Sequence, residues 1–93
     1  MKPENVNPRN FDVIEILYDN GEFSIAYGVF EKKDKCIAMR WNGDGEDAGY
    51  PKLFKHPVWF IVDNRFKIIM MKSLLAEPHA NNIKILKVLE GEI

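Results

Sequence analysis

The sequence predicts an α+β domain in which an antiparallel β-meander of about four strands carries C-terminal helices on one face. Two observations support this prediction. First, Asn20-Gly21 separates two runs of alternating apolar residues, the preferred pattern of a two-residue β-hairpin. Second, the apolar residues after Asp63 follow the spacing of helices rather than that of strands. The 93 residues are enough for a single domain, residues 1–93, with its own core.

The composition narrows the class of protein. Hydrophobic residues make up 46% and charged residues 29% of the chain, as in ordinary globular proteins. The net charge of −1 provides no basic field, so nucleic-acid binding is not expected. The longest apolar run, residues 58–62, is too short to span a membrane, and residues 1–5 lack the apolar core of a signal peptide. Together with a single cysteine, these features predict a cytoplasmic protein.

Three strands are predicted after an irregular lead-in at residues 1–10. With Asn20-Gly21 as the first loop, Ile16 lies opposite Ile25. With a three-residue loop at residues 32–34, Ile25 lies opposite Trp41. The strands then cover residues 11–18, 22–31 and 36–42, and one face gathers Ile14, Ile16, Tyr18, Phe23, Ile25, Tyr27, Val29, Ile37, Met39 and Trp41.

A long loop and a helical segment follow. Residues 42–57 form a loop that is unusually long for a compact domain, and such loops are either functional or mobile. The fourth strand, at about residues 58–62, is apolar on both sides, and we expect it beside the first strand. In the helical segment, residues 64–91, Asp63 caps a helix that is apolar around nearly its whole circumference, and a second helix covers about residues 81–90.

A polar constellation is predicted on the second face of the meander. Glu15 and Arg40 both align with Ala26, one from each neighbouring strand, and Ser24 and Asn42 flank them. A carboxylate and a guanidinium across a trough of small residues could orient a polar ligand. The alternative, which we favour, is a cross-strand ion pair on a solvated face that contributes at most about 1 kcal/mol.

The long loop carries residue types that can bind ions. Four oxygen-bearing residues between positions 42 and 47 are of the kind that calcium uses, but their spacing differs from that of an EF-hand loop. Three glycines at residues 43–49 resemble a phosphate-binding loop only superficially, because Tyr50-Pro51 follows where that loop needs a helix. We therefore predict no metal site and no cofactor.

His56 is the candidate general base, since imidazole titrates near neutral pH. It precedes a proline, which favours an extended backbone near Tyr50 and Trp59. No serine, cysteine or carboxylate stands at a recognisable spacing from His56, so a structural or surface histidine is the preferred interpretation, as it is for His79. Cys36 is expected to be an inert, buried thiol. The sequence therefore specifies no reaction, and an enzymatic role is not favoured.

Aromatic residues gather around the long loop: Trp41, Tyr50, Phe54, Trp59 and Phe60. They could line an apolar pocket for a small ligand or anchor a partner. They could equally pack the loop onto the core, which is the preferred interpretation.

A resemblance to a known group of proteins covers about residues 11–75 in general layout, with its specific match at about residues 39–62. The residues that carry it are Met39-Arg40-Trp41-Asn42-Gly43, Gly49-Tyr50-Pro51, Phe54, Pro57 and Trp59-Phe60. This stretch resembles small uncharacterised bacterial proteins, some of which are carried on integron gene cassettes. Lys55 departs from that pattern, in which a glycine is usual. The resemblance implies a bacterial accessory protein in the cytoplasm, and it implies no catalytic residue.

The leading hypothesis is a non-enzymatic interaction module that self-associates, most simply as a homodimer. The apolar face of the sheet covers only one side of the first helix, so both helices and the rim of the sheet retain apolar surface for a second copy or another protein. The alternative is a small-ligand-binding protein or a small enzyme that uses the polar trough and the aromatic loop at residues 42–60. The ligand-binding residues of that alternative are Glu15, Ser24, Arg40, Trp41, Asn42, Tyr50, His56 and Trp59.

Overall fold

The computed structural model of the chain describes residues 1–91 and confirms the predicted α+β class. The strands are β1 (Phe11–Asp19), β2 (Phe23–Phe30), β3 (Asp34–Trp41), β4 (Lys52–Leu53), β5 (His56–Pro57) and β6 (Phe60–Ile61), and the helices are α1 (Lys67–Leu74) and α2 (Asn82–Leu89). Short 3-10 helices cover Pro3–Asn5 and Asn64–Phe66. The four-stranded antiparallel sheet has the order β1-β2-β3-β6, and β4 and β5 form a separate hairpin.

The first hairpin differs from its predicted register. Ile16 lies opposite Ala26 rather than Ile25, because the pairing of β1 shifts twice, once on each side of Glu15. Each shift inserts one unpaired residue into β1, as a β-bulge does. The turn is also wider than two residues, since the Asn20 side chain accepts hydrogen bonds from the amides of Glu22 and Phe23 at 2.9 and 2.8 Å.

The shifts move side chains between the two faces of the sheet. Ile16 packs with Phe11 and Ala26, on the face opposite to the one predicted. Leu17 takes its place in the core beneath the helices. The prediction for Ile16 was therefore wrong, because one inserted residue reverses the side on which every following side chain lies.

The second hairpin keeps the predicted face although its register is displaced. Its turn lies at residues 31–33 rather than 32–34, with Glu31 and Lys32 at positive φ. Ile25 consequently pairs with Met39 instead of Trp41. A displacement of two residues preserves the side of each side chain, so the large apolar residues of β3 still share one face with those of β2.

The fourth sheet strand, β6, lies beside β3, and the expectation that it joins the first strand was wrong. Ala38 pairs with Ile61 in this arrangement. The outer edge of β1 is already occupied by the segment that precedes α2. The Asp19 amide donates to the His79 carbonyl at 3.3 Å, and the Asn81 amide donates to the Leu17 carbonyl at 2.8 Å.

The helices cover one face of the sheet, as predicted. Asp63 caps the first helical turn by accepting a hydrogen bond from the Arg65 amide at 2.9 Å, and Asn81 caps α2 through the Lys84 amide at 3.2 Å. The segment that includes α2 docks on its own domain. The core of this face consists of Leu17, Ile25, Tyr27, Ile37, Val62, Met71, Leu74, Ile85 and Val88.

The lead-in covers the opposite face of the sheet. Val6 is fully buried there with Phe11 and Trp59, above the small residues Ala26 and Ala38. The Trp59 indole donates a 2.8 Å hydrogen bond to the Val6 carbonyl, which fixes the lead-in against the sheet. Both faces of the sheet are thus covered. Within residues 1–91, no helix is both long enough and apolar enough to cross a membrane.

Candidate functional site

Glu15 and Arg40 do not form the predicted pair. The Glu15 carboxylate lies 3.0 Å from the Lys84 ammonium group of α2, on the helix side of the sheet. Arg40 pairs with Ser24 in the strand register and projects to the opposite face, where its guanidinium lies 6.0 Å from the Trp59 ring centre. The register shifts in β1 are the physical reason, because they turn Glu15 towards α2.

The predicted trough is filled. A Cβ atom on Gly28 would lie 2.6 Å from the Phe11 ring, so the small residue of the central strand makes room for that ring. The rings of Phe11 and Trp59 then pack at a centroid distance of 5.9 Å. The small residues of β2 therefore accommodate aromatic side chains of the protein itself and leave no open trough for a ligand.

Arg40 instead holds the long loop in place. Its side chain is only 1% exposed. The guanidinium donates hydrogen bonds to the carbonyl oxygens of Ala48 and Val58, and to that of Pro51 at 3.3 Å. Within residues 1–91, Arg40 forms no ion pair and its Nε atom has no hydrogen-bond partner. Burial lowers the pKa of Arg40, and the carbonyl groups and the Trp59 ring stabilise the charged guanidinium.

Ser24 and Asn42 form a second structural contact at the start of the loop. The Ser24 hydroxyl donates a 2.7 Å hydrogen bond to the Asn42 side-chain oxygen. The Asn42 side-chain nitrogen donates to the Asp19 carboxylate at 3.1 Å, and the backbone N–H of Asn42 donates to the Glu22 carbonyl at 2.8 Å. Both side chains are buried, and both are satisfied by these contacts. They connect the loop to the first hairpin rather than face a ligand.

The loop folds back along β3 and returns at Tyr50. Trp41 and Tyr50 exchange backbone hydrogen bonds of 2.7 and 3.0 Å. Gly49 permits this close approach, since it has a φ of +66° and a Cβ atom there would lie 2.9 Å from the Arg40 guanidinium. The loop is thus held at both ends and at its return point.

Four of the five aromatic side chains around the loop are exposed, Phe54 at 96% among them, whereas Trp59 is buried; the other three exposed ones lie together. Trp41 is 54%, Tyr50 66% and Phe60 60% exposed. We call these three residues the aromatic surface. Beside it lies a cavity of about 250 Å³ lined by Phe23, Met39, Arg40, Trp41, Tyr50, Pro51 and Phe60. The preferred interpretation of the aromatics as core packing therefore holds for Trp59 and is wrong for the aromatic surface.

The β4–β5 hairpin is the feature that sequence reasoning missed. Its turn residues, Phe54 and Lys55, have φ values of 49° and 71°. Two central residues at positive φ characterise a tight hairpin turn that usually contains glycine. The observation that Lys55 replaces a usual glycine was the available signal. Phe54 is 96% exposed at the tip, and Leu53 beside it is also exposed.

The two histidines and the cysteine occupy separate places. His56 is exposed and lines an open cleft of about 830 Å³ between the lead-in and the hairpin, together with Arg9. His79 packs edge-on against the Tyr18 ring at 6.4 Å. Cys36 is buried, and burial raises the pKa of its thiol. Within residues 1–91, no three His, Cys, Asp or Glu side chains are grouped so that they could hold a metal ion.

Comparison of the chain with protein-family models, with curated proteins and with solved structures finds no match.

Proposed function

We propose that this protein is a non-enzymatic interaction module that self-associates, most simply as a homodimer, through the aromatic surface. The observation that carries the proposal is the exposure of Trp41, Tyr50 and Phe60 side by side around one apolar cavity. Aromatic residues are enriched at the centres of protein interfaces. A bacterial accessory protein in the cytoplasm, as the resemblance of residues 39–62 implies, is the proposed setting.

The size of the exposed area supports an interface. A large aromatic side chain has about 150–250 Å² of surface to bury, so the aromatic surface leaves about 300–450 Å² open. That is around half of the roughly 800 Å² that each partner contributes to a standard interface. An apolar centre of this size with a polar rim is the usual composition of such an interface. Ile69 on α1 and Ile83 on α2 are exposed as well, but they lie outside the aromatic surface and are not part of the proposed interface.

Sedimentation equilibrium at micromolar concentration tests the proposal. Replacement of Trp41 and Tyr50 together (Trp41→Thr with Tyr50→Ser) is expected to weaken self-association at least about tenfold, because it removes two exposed aromatic anchors. Ile83→Ser on α2 is the matched control, since Ile83 is exposed to a similar degree. The thermal unfolding midpoint of each variant checks that the fold is intact. Equal association of both variants would contradict the proposal.

A second candidate function is the binding of a small molecule in the cleft that His56 and Arg9 line. Its volume of about 830 Å³ falls within the range of roughly 300–1,000 Å³ that is usual for ligand sites. A metabolite screen by thermal shift tests this candidate. A hit is expected to raise the unfolding temperature of the unmodified chain, and His56→Ala is expected to remove that increase.

A further inference from the structure

The long loop carries two exposed surfaces of opposite charge. The first is a groove of about 410 Å³, here called the acidic groove, lined by Glu22, Trp41, Gly43, Asp44, Asp47, Gly49 and Tyr50. The second is the β4–β5 hairpin, here called the basic hairpin, with Lys52, Leu53, Phe54, Lys55 and His56. The charged residues of both surfaces are exposed.

Within residues 1–91, no ion pair neutralises either surface, and the N-terminal ammonium group beside the groove donates to the Asn42 and Gly43 carbonyls at 3.0 and 3.4 Å. The ion pairs within residues 1–91 join Lys32 to Asp12, Arg65 to Asp63 and Lys84 to Glu15, so they involve neither surface. No Asp or Glu occurs from residue 48 to residue 62, and the hairpin therefore lacks an acidic neighbour in sequence. Opposite charges held apart in this way favour pairing between molecules.

The two surfaces also match in their apolar parts. The hairpin presents Leu53 and Phe54, which lie between two lysines in sequence, and the groove is lined by Trp41 and Tyr50 as well as by carboxylates. Aromatic side chains pack favourably against one another, with centroids about 4.5–7 Å apart.

We propose that the basic hairpin of one molecule occupies the acidic groove of a second copy of this chain, and that the exchange is reciprocal about a two-fold axis. This inference rests on the proposed self-association and names the surfaces that carry it. The groove ends at Tyr50 and the hairpin begins at Lys52, so their Cα atoms lie at most about 7 Å apart. Such neighbouring, complementary surfaces permit a closed dimer in which each contact occurs twice.

A membrane surface is a weaker candidate for the binding partner of the basic hairpin. Anionic lipids are recognised by clusters of about 4–8 Lys or Arg residues, and the hairpin has two lysines. The carboxylates of the acidic groove oppose an anionic surface, and the nearest of them in sequence, Asp47, lies five residues before Lys52. A second copy satisfies both charge signs at once.

Charge reversal in two separate variants provides the test. The hairpin variant carries Lys52→Glu with Lys55→Glu, and the groove variant carries Asp44→Lys with Asp47→Lys. Each variant alone places like charges together, so we expect its homodimer dissociation constant to rise at least about tenfold. In an equimolar mixture both contacts are attractive again, and we expect a heterodimer with an affinity near that of the unmodified chain. Lys33→Glu with Lys72→Glu is the matched control, since both lysines are exposed outside the two surfaces.

The outcomes separate this inference from the proposed function. If the unmodified chain is monomeric, both fail. If it dimerises and the charge-reversed variants do so equally well, the self-association stands and the hairpin-and-groove contact is overturned. Open-ended growth beyond a dimer contradicts the reciprocal arrangement. Co-sedimentation of the unmodified chain with phosphatidylserine vesicles that the hairpin variant loses would assign the hairpin to a membrane surface and overturn the proposal.

Discussion

The guanidinium Nη2 atom of Arg40 lies 2.9 Å from the position that a Cβ atom would occupy on Gly49. The same guanidinium donates hydrogen bonds to carbonyl groups at residues 48, 51 and 58. The loop therefore closes around a buried cation, and it requires glycine where the chain passes nearest to that cation. The exposed aromatic surface and the basic hairpin both depend on this closure for their positions.

Gly49→Ala is expected to destabilise the protein by about 3 kcal/mol, because the new methyl group meets both the Trp41 carbonyl and the Arg40 side chain at a positive φ. Gly45→Ala is the matched control. Gly45 also has a positive φ, but no atom lies within 4 Å of its added Cβ atom. Its cost should be about 1 kcal/mol, from backbone strain alone. Urea denaturation measures the free energy of unfolding of both variants. Equal decreases would contradict the claim that Gly49 is crowded by its neighbours.

Arg40→Met is expected to lower the free energy of unfolding by about 3 kcal/mol or more, because it leaves the buried carbonyl groups of the loop without their donor. Arg40→Lys should recover only part of this loss, since an ammonium group cannot reproduce the planar fork of a guanidinium. Limited proteolysis should then cut within residues 42–57 first. If the Arg40→Met variant is as stable as the unmodified chain and its loop resists the protease, the hydrogen bonds from Arg40 to the loop contribute little to stability.

Asp63 predicts a specific dependence of stability on pH. The side-chain hydrogen bond from Arg65 holds the pKa of Asp63 down at about 2. Because the folded-state pKa lies below the unfolded value, the stabilisation is complete above about pH 4 and is lost as the pH falls through about 2. Asp63→Asn keeps an oxygen for the helix cap and removes the charge, so its stability should fall less over this interval. Urea midpoints at successive pH values measure the difference, and parallel curves would refute it.

Cys36 should resist thiol reagents in the folded protein. Burial raises the pKa of its thiol, so little of the reactive thiolate forms near neutral pH. We expect slow labelling by Ellman's reagent in buffer and rapid labelling in denaturing urea. Rapid labelling in buffer would place Cys36 at an accessible position, contrary to the structure.

The sequence predicted the class of fold and the presence of the helices because these depend on apolar spacing and, for the first helix, on the cap at Asp63. It failed for the register of β1. Its two shifts insert Ile14 and Leu17 as unpaired residues, which no local pattern reveals, and the Leu17 carbonyl accepts its hydrogen bond from the distant Asn81 amide. The displacement by two residues in the second hairpin left the predicted faces correct, because it keeps Ile37 and Met39 on the same side of the sheet.

Sequence reasoning singled out the residues of the candidate site without predicting their surroundings. Trp41 and Tyr50 are exposed and adjacent although core packing was the preferred interpretation, and Ser24 and Asn42 serve the structure of the loop. The role of Arg40 was missed because its partners are backbone carbonyl groups, which carry no sequence signature. The basic hairpin was not predicted for another reason. Lys55 occupies a turn position at positive φ, where glycine is the residue that usually indicates a hairpin.

The central claim is that this chain uses its exposed aromatic surface to associate with a second copy. Multi-angle light scattering of the unmodified chain, at a series of micromolar concentrations, tests it most directly. We predict a molar mass that approaches twice 10.8 kDa as the concentration rises and falls towards 10.8 kDa on dilution. A constant mass of 10.8 kDa at every concentration would contradict the account.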